Sequence, residues 1–420
     1  MSFQALWESL LPVGRDGRTG GYRRLSWTPA DAACREWFTR AAAERSLRAH
    51  RDRDGNLWAW WDVPGKPGGA IVTGGHLDSV PDGGAYDGPL GVASAFAAID
   101  QLRALGFVPA RPIAVAAFCE EEGARFGVAC LGSRLLTGVI DPGRAAELRD
   151  GDGVSLAEAM TAAGLDPAGI GPDPDLLAGV RAYVELHIEQ GRRLTDLGAA
   201  VGVGERIWPH GRWRLSFTGQ ADHAGTAVLS DRHDPMLPFA GIVLSARETA
   251  ALHRAVATVG KVIAEPGGVN AVPSRVTCWL DARAPDEPTL RALADQVITA
   301  GRQSAGLHGV SLEVREESMT PAVEFDPSLR ERVSAALTAS GIKAPPLPTA
   351  AGHDAGVLAA KVPTAMLFVR NPTGVSHSPA EHADAADCAA GVEALATVLA
   401  GLASEPGGTG PAVPGGGPGR

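Results

Sequence analysis

Apolar and polar positions alternate in two different rhythms along this chain. In the first half, short continuous apolar runs are separated by stretches of helical spacing. GAIVTGG (69–75) and PIAVAAFC (112–119) are compact enough for buried strands, and LGVASAFAAIDQLRALG (90–106) between them carries apolar residues at helical intervals and stops at a glycine. LWAWW (57–61), with Trp58, Trp60 and Trp61, predicts a further strand, joined to the next by a loop from Pro64 to Gly68. Upstream, Thr28-Pro29-Ala30-Asp31 supplies a cap residue, a proline for the first helical position and an acid in the first turn, which predicts a helix running to about His50; Asp54-Gly55-Asn56 then predicts a turn. Strand alternating with helix implies a mostly parallel sheet covered on both faces.

From about Arg212 the rhythm changes. RWRLSFTG alternates Trp213, Leu215 and Phe217 onto one face, a helix is predicted from about Leu237 to Arg254, and VATVGKVIA and SRVTCWLDAR read as strands. PTLRALADQVITAGRQ then reads as a helix and VSLEVREE as a last strand. The order β-α-β-β-α-β is a split βαβ unit, ferredoxin-like in its element order. The first rhythm resumes after Phe325 with a helix near Ser328–Ser340 and the strand PTAMLFVR (363–370). The expected organisation is therefore an α/β domain of residues 1–208 and 325–403, an inserted domain of residues 209–324, and a Gly/Pro-rich tail, 404–420, predicted to be disordered.

Composition narrows the function classes. At 420 residues, 45% hydrophobic and 20% charged, the chain can bury a large core. A formal charge of -10 and the lack of a basic block argue against a nucleic-acid partner. The first residues do not read as a signal peptide, and no apolar run approaches the roughly 20 residues that span a bilayer, so no membrane partner is expected. The five cysteines, Cys34, Cys119, Cys130, Cys278 and Cys388, are odd in number and widely spaced, which suits reduced thiols in a cytoplasm.

The candidate chemistry falls where apolar strands end. AIVTGGHLD delivers His76 and Asp78, PIAVAAFCEEEG delivers Glu120, Glu121 and Glu122, AYVELHIEQG delivers Glu185, His187, Glu189 and Gln190, and the last strand leads to His377. Ligands of open parallel sheets bind at the carboxyl ends of strands. A lone strand-end histidine is more often a satisfied polar residue than a ligand. Three consecutive glutamates after an apolar strand are harder to place, because an acid turned toward the sheet edge needs a cation beside it. His76, Asp87, Glu122, His187 and His377 form a nitrogen and carboxylate set without sulfur, suited to Zn²⁺ or Mn²⁺, and five ligands exceed what one structural zinc takes. Two ions sharing a carboxylate need about this many, and such a pair activates water and polarises a carbonyl.

GGHLDSVPDGGAYDGPLG, EEEGARFG, ELHIEQG, DHAGT with Arg232 and Asp234 downstream, GGVNAVPSRVTCWLDAR, AGHDA and GVSHSPAEH together resemble the peptidase M20 superfamily. Within it they are most similar to the hydantoinase/carbamoylase branch of allantoate amidohydrolase, N-carbamoyl-L-amino-acid hydrolase and β-ureidopropionase. The resemblance implies a parallel-sheet di-metal hydrolase domain with an inserted lid and dimerisation domain. It implies two divalent ions per subunit, Zn²⁺ or Mn²⁺ with Co²⁺ and Ni²⁺ as further candidates, one on His76, Asp87 and His187 and the other on Asp87, Glu122 and His377. It makes Asp78 the carboxylate that orients His76, and Glu121 the general base; Glu120 is expected to be a strand-end surface acid. Gly83, Gly84 and Gly88 are expected to give the backbone its tight path from His76 to Asp87.

The same resemblance implies substrate contacts by Gln190, Asn270, Arg283, Gly352 and His353, with Arg283 as the carboxylate fork. It implies that His223 reaches the active site of a partner subunit to stabilise an oxyanion. The implied substrate is a small ureido carboxylate, allantoate first and N-carbamoyl-L-amino acids or the β-ureidopropionase substrate next. A metal aminopeptidase or dipeptidase and a non-catalytic binding protein are the remaining alternatives. HAGTAVL, where the family often has HAGTTPM, and VRNPTGVSH, where many relatives have a proline-serine pair, are departures beside the substrate pocket.

Overall fold

The computed structural model describes residues 2–65 and 69–404. The Gly/Pro-rich tail beyond Ser404 and residues 66–68 of the expected loop lie outside the described residues. The chain forms two compact units, one made of the residues up to Glu205 together with those from Glu324 onward, the other Arg206–Val323.

The first unit is built on a nine-stranded sheet, seven of whose strands lie in the order Arg48–Arg51, Leu57–Trp61, Ile113–Phe118, Ala70–His76, Val180–Ile188, Thr364–Val369, Val201–Ile207. The four central strands, from Ile113–Phe118 to Thr364–Val369, are parallel to one another, and antiparallel strands flank them on either side. Every residue of Ala70–His76, Ile113–Phe118 and Thr364–Val369 is buried, as continuous apolar runs in a sheet covered on both faces require. Register aligns His76 with Phe118 and His187 with Phe368, so the ends of all four strands lie level. The helices Pro89–Ala104 and Ala385–Ala403 pack on each other and on these strands through alanine-rich faces. Among the described residues, Ala385–Ala403 is the one helix long and apolar enough to cross a membrane, but 67% of it is buried inside the fold, as suits a core helix.

Two local expectations are corrected. The helix opening at Pro29 ends at Glu44, and Arg48–Arg51 instead pairs antiparallel with Leu57–Trp61, Ser46 turning through a left-handed φ of 49° to make the change. Tertiary pairing with an aromatic strand overrides the helix propensity of that arginine-rich segment. Nor does Thr28 cap the helix: its hydroxyl donates to the Leu25 carbonyl, while Asp31 accepts the Trp27 N–H at 2.8 Å and the Arg35 guanidinium at 2.7 Å.

The second unit carries a four-stranded antiparallel sheet in the order Ser311–Thr320, His210–Thr218, Arg275–Arg283, Val256–Glu265. Its main elements follow one another as β-α-β-β-α-β, with the helices Met236–His253 and Glu287–Leu307. Leu215, Phe217, Val276, Cys278 and Leu280 from one face of the sheet pack against Ile242, Ala246, Leu293 and Val297 of the helices. Val256–Glu265 is an edge strand with Val256, Val262 and Ile263 exposed, and Leu244 and Leu252 are exposed on the neighbouring helix.

Candidate metal centre and active site

His76 and His187 sit at or next to the last residues of adjoining parallel strands, both fully enclosed. The Nδ1–H of His76 donates to the Asp78 backbone carbonyl at 3.2 Å, and that of His187 to the Ile188 carbonyl at 2.9 Å. A carbonyl only accepts, so each ring keeps its proton on Nδ1 and leaves Nε2 as the nitrogen that could hold a metal ion. Both Nε2 atoms are buried without a hydrogen bond. They face one carboxylate oxygen: Asp87 Oδ1 stands 3.6 Å from His76 Nε2 and 3.3 Å from His187 Nε2. Asp87 Oδ2 looks the other way, 3.3 Å from His377 Nε2, which is in turn 3.5 Å from Glu122 Oε2.

Two donor sets, His76/Asp87/His187 and Asp87/Glu122/His377, therefore share Asp87. Ligand atoms about 2.05 Å from a tetrahedral zinc stand about 3.3 Å from one another. The spacings of 3.3 to 3.6 Å, the two buried imidazole nitrogens and the sulfur-free chemistry fit a pair of divalent cations. Glu185, His187 and His353 form a third possible group. It competes with the first, since His187 has a single uncommitted nitrogen, and Glu185 Oε2 already accepts the Ala355 N–H at 2.9 Å and the Tyr183 hydroxyl at 3.3 Å.

The electrostatics of the cluster are those of acids crowded away from water. Burial pushes the Glu121 carboxyl well above its usual range, with Asp354 and Glu122 adding to the effect and His76 opposing it. Burial and the Asp87 charge push Glu122 up to about 7. Burial opposes charge on His76, but Glu121, Asp78 and Asp87 outweigh it and raise its pKa well above the ordinary value. Burial likewise opposes the charge on Asp87, but its imidazole neighbours His187, His377 and His76 hold its carboxyl well below the usual range. His377, half exposed at the rim, is raised to about 9, mainly by Asp87. A cluster that draws protons onto its histidines in this way is one that divalent cations neutralise.

Glu121 Oε2 lies 3.6 Å from His76 Nε2, and Oε1 accepts the Cys130 thiol at 3.4 Å. Asp78 Oδ1 is 3.4 Å from His76 Nδ1 and accepts the Glu121 N–H at 3.3 Å, while Oδ2 accepts the Glu122 N–H at 3.1 Å. Glu120 is not a surface acid. It is fully buried in a left-handed turn, its Oε1 accepting the backbone N–H groups of Arg125 at 2.8 Å and Phe126 at 2.7 Å, so it shapes the loop that carries Glu121 and Glu122.

The glycines divide their work differently from the expectation. Only Gly88 of the three has positive φ, at 85°; a Cβ there would lie 2.3 to 2.5 Å from the His76 ring. Gly84 makes space instead, since its Cβ would meet the Glu381 side chain.

Gln190, expected at the substrate, donates from Nε2 to Asp87 Oδ2 at 2.8 Å. His353 is buried with its ring centroid 4.5 Å from that of His187, and Gly352 beside it is exposed. In the second unit His223 and Asn270 come together: His223 pairs with Ala271, and the Asn270 carbonyl accepts the Ala224 N–H at 2.9 Å. Both are exposed. Arg283 ends the strand Arg275–Arg283, with Nε 3.3 Å from Asp281 Oδ1. Sequence reasoning missed Cys130 and Glu381. Cys130 carries no signal of its own, but Glu381 lies four residues after His377 in GVSHSPAEH.

The sequence pattern of peptidase family M20/M25/M40 matches residues 72–401. The chain is 36% identical over 400 residues to an N-carbamoyl-L-amino acid amidohydrolase of Geobacillus stearothermophilus, covering 93% of this chain and 96% of that one. It is 33% identical over 397 residues to the allantoate amidohydrolase of Escherichia coli, covering 91% and 93%. Among solved structures, an amidase of the hydantoinase/carbamoylase family from Burkholderia multivorans superposes with a TM-score of 0.84 at 30% identity, covering 96% of this chain and 98% of that chain.

Proposed function

Taking as premise that this chain belongs to peptidase family M20/M25/M40, we propose that it is a di-metal amidohydrolase cleaving a ureido C–N bond in a small carboxylate-bearing substrate. The observation that carries the reading is Asp87, whose two oxygens face separate histidine-containing donor sets, with the Glu121 carboxylate alongside. Two divalent ions held by His76, Asp87, His187, Glu122 and His377 would polarise the ureido carbonyl and acidify a water.

The chain's own residues do the rest. Asp78 orients His76 and fixes the backbone of Glu121 and Glu122. Glu121, whose burial makes its carboxylate a stronger base, takes a proton from the attacking water and delivers it to the leaving nitrogen. Arg283 receives the substrate carboxylate, a planar fork suited to two-point contact. Gln190, Asn270, Gly352 and His353 bind the remaining polar groups, and His223 donates to the developing oxyanion.

The second unit serves as lid and dimerisation domain. Its strand Val256–Glu265 stands at the edge of the sheet with Val262 and Ile263 exposed, and Leu244 is exposed on the helix Met236–His253, surface that a twofold copy of itself would cover. The five cysteines are all free and buried, in keeping with a reducing cytoplasm.

Allantoate and N-carbamoyl-L-amino acids both carry a ureido carbonyl and a carboxylate, and relatives named for each, 33% and 36% identical, support both as candidates. The test is ammonia release from allantoate, several N-carbamoyl-L-amino acids and N-carbamoyl-β-alanine, beside dipeptide amides, after loading with Mn²⁺ or Zn²⁺ and again after chelation. Turnover of a ureido compound that chelation abolishes is expected. Preferred cleavage of the peptides would replace this reading by that of a peptidase, and metal binding without turnover of any substrate by that of a binding protein.

A further inference from the structure

The carboxylate of Glu381 is 5% exposed and has no part in the chemistry described above. Its Oε1 accepts the backbone N–H of Tyr86 at 2.8 Å and that of Asp87 at 3.0 Å. The Ser376 hydroxyl lies between its Oε2, at 3.1 Å, and Asp87 Oδ2, at 3.0 Å. Gly84 leaves room for this side chain, since a Cβ there would stand 2.3 to 2.5 Å from Glu381 atoms. Glu381 thus grips the backbone of Asp87 directly and its side chain through one hydroxyl.

We propose that Glu381 is the positioning residue that sets the two-sided orientation of Asp87 and locks the loop carrying His377 to the loop carrying Asp87. The inference rests on the metal-centre reading above. Asp87 has to present Oδ1 to His76 and His187 and Oδ2 to His377 at once, so a rotation of its carboxylate serves one donor set at the expense of the other. The two amides held by Glu381 fix the Cα–Cβ direction, and Ser376, together with Gln190 on the same oxygen, limits the remaining rotation. Because Glu381 follows His377 by four residues, the same contact fixes the spacing of the Asp87/Glu122/His377 set across almost 300 residues of sequence. A hydrogen-bonded partner behind a ligand is commonly worth about 10- to 100-fold in metal affinity.

The experiment is chelator competition with Zn²⁺ or Mn²⁺ on the full chain, for wild type and for Glu381→Ala, Glu381→Asp and Glu381→Gln, with amide exchange of Tyr86 and Asp87 followed in parallel. Glu381→Ala should weaken ion binding by about 10- to 100-fold and speed exchange at both amides. Glu381→Asp keeps the charge but is one methylene short of those amides, and should show the same loss even where the alanine variant does not fold. Glu381→Gln retains a carbonyl acceptor and should restore most of the affinity. Wild-type affinity in Glu381→Asp, or a glutamine variant as weak as it, overturns the proposal while two ions still bind to wild type. A wild-type chain that binds no ion overturns instead the metal-centre reading, and this proposal with it.

Discussion

Asp78 accepts the backbone N–H of Glu122 at 3.1 Å, and through its other oxygen that of Glu121, so one carboxylate fixes two neighbouring acids whose side chains then part. Glu121 turns to His76 and Glu122 to His377. The different roles proposed for the two glutamates rest on this held backbone. Glu121→Gln should keep metal content near two ions per chain and cut kcat by about 10²- to 10⁴-fold. Glu122→Gln should lower metal content first. Metal analysis beside kcat separates them, and the opposite pattern would exchange their roles.

Protonation of the cluster should make any stabilisation by the proposed ions depend on pH. The folded chain raises Glu122 from 4.5 to about 7 and His377 from 6.5 to about 9. Each raised group contributes stability that is complete below its unfolded pKa and is lost as pH rises through the folded one. The metal-free protein should therefore lose stability between about pH 4.5 and 9. Ions compete with those protons, so the rise in Tm on adding Zn²⁺ or Mn²⁺ should grow from pH 5.5 to pH 8.5. Asp87, shifted downward, acts only in the acid range and leaves this window untouched. A Tm increment that shrinks with pH would contradict the arrangement.

Gly88→Ala combines two penalties. The left-handed φ of 85° costs an alanine about 1–3 kcal/mol, and the new methyl enters the space of the His76 ring. Gly164→Ala is the control, with a φ of 75° and open space around its Cβ. Thermal melts should fall for both, but only Gly88→Ala should also lose metal.

The central sheet was legible because strands buried on both faces read as unbroken apolar runs, and three of the four central ones ran directly into their acids or histidine. Glu120 was misread for the same reason that it matters: nothing in EEEG distinguishes an acid turned inward to cap Arg125 and Phe126 from one turned to solvent. The contact that distinguishes it is made by backbone amides five and six residues on. Glu381 and Cys130 were out of reach because their importance lies in what the fold brings beside them, Asp87 and Glu121 respectively. The Arg48–Arg51 strand was hidden by arginines that suit a helix until an aromatic strand pairs with them.

Arg283→Lys should be far from neutral. The strand Arg275–Arg283 presents a planar fork beside Asp281, and an ammonium offers one point of contact where a carboxylate takes two. The loss should fall mainly in kcat/KM for carboxylate-bearing ureido substrates, with metal content unchanged. Equal kinetic constants in the two proteins would make Arg283 a surface charge.

The proposed dimer can be tested together with the role of His223. If the second unit pairs with its copy and His223 serves the partner's active site, homodimers of Glu121→Gln and of His223→Ala should each be nearly inactive, for different reasons. Mixing them creates heterodimers in which one site combines both defects and the other takes Glu121 from the His223→Ala chain and His223 from the Glu121→Gln chain. Random exchange of equal amounts makes about half of the dimers mixed, each with one intact site, so activity should rise to roughly a quarter of wild type. If His223 serves its own chain, every site in the mixture still carries a defect. Activity that stays at the level of the parents after subunit exchange, verified by mass-labelled chains, would remove His223 from the partner's site and leave the exposed edge Val256–Glu265 without that functional reason to be covered.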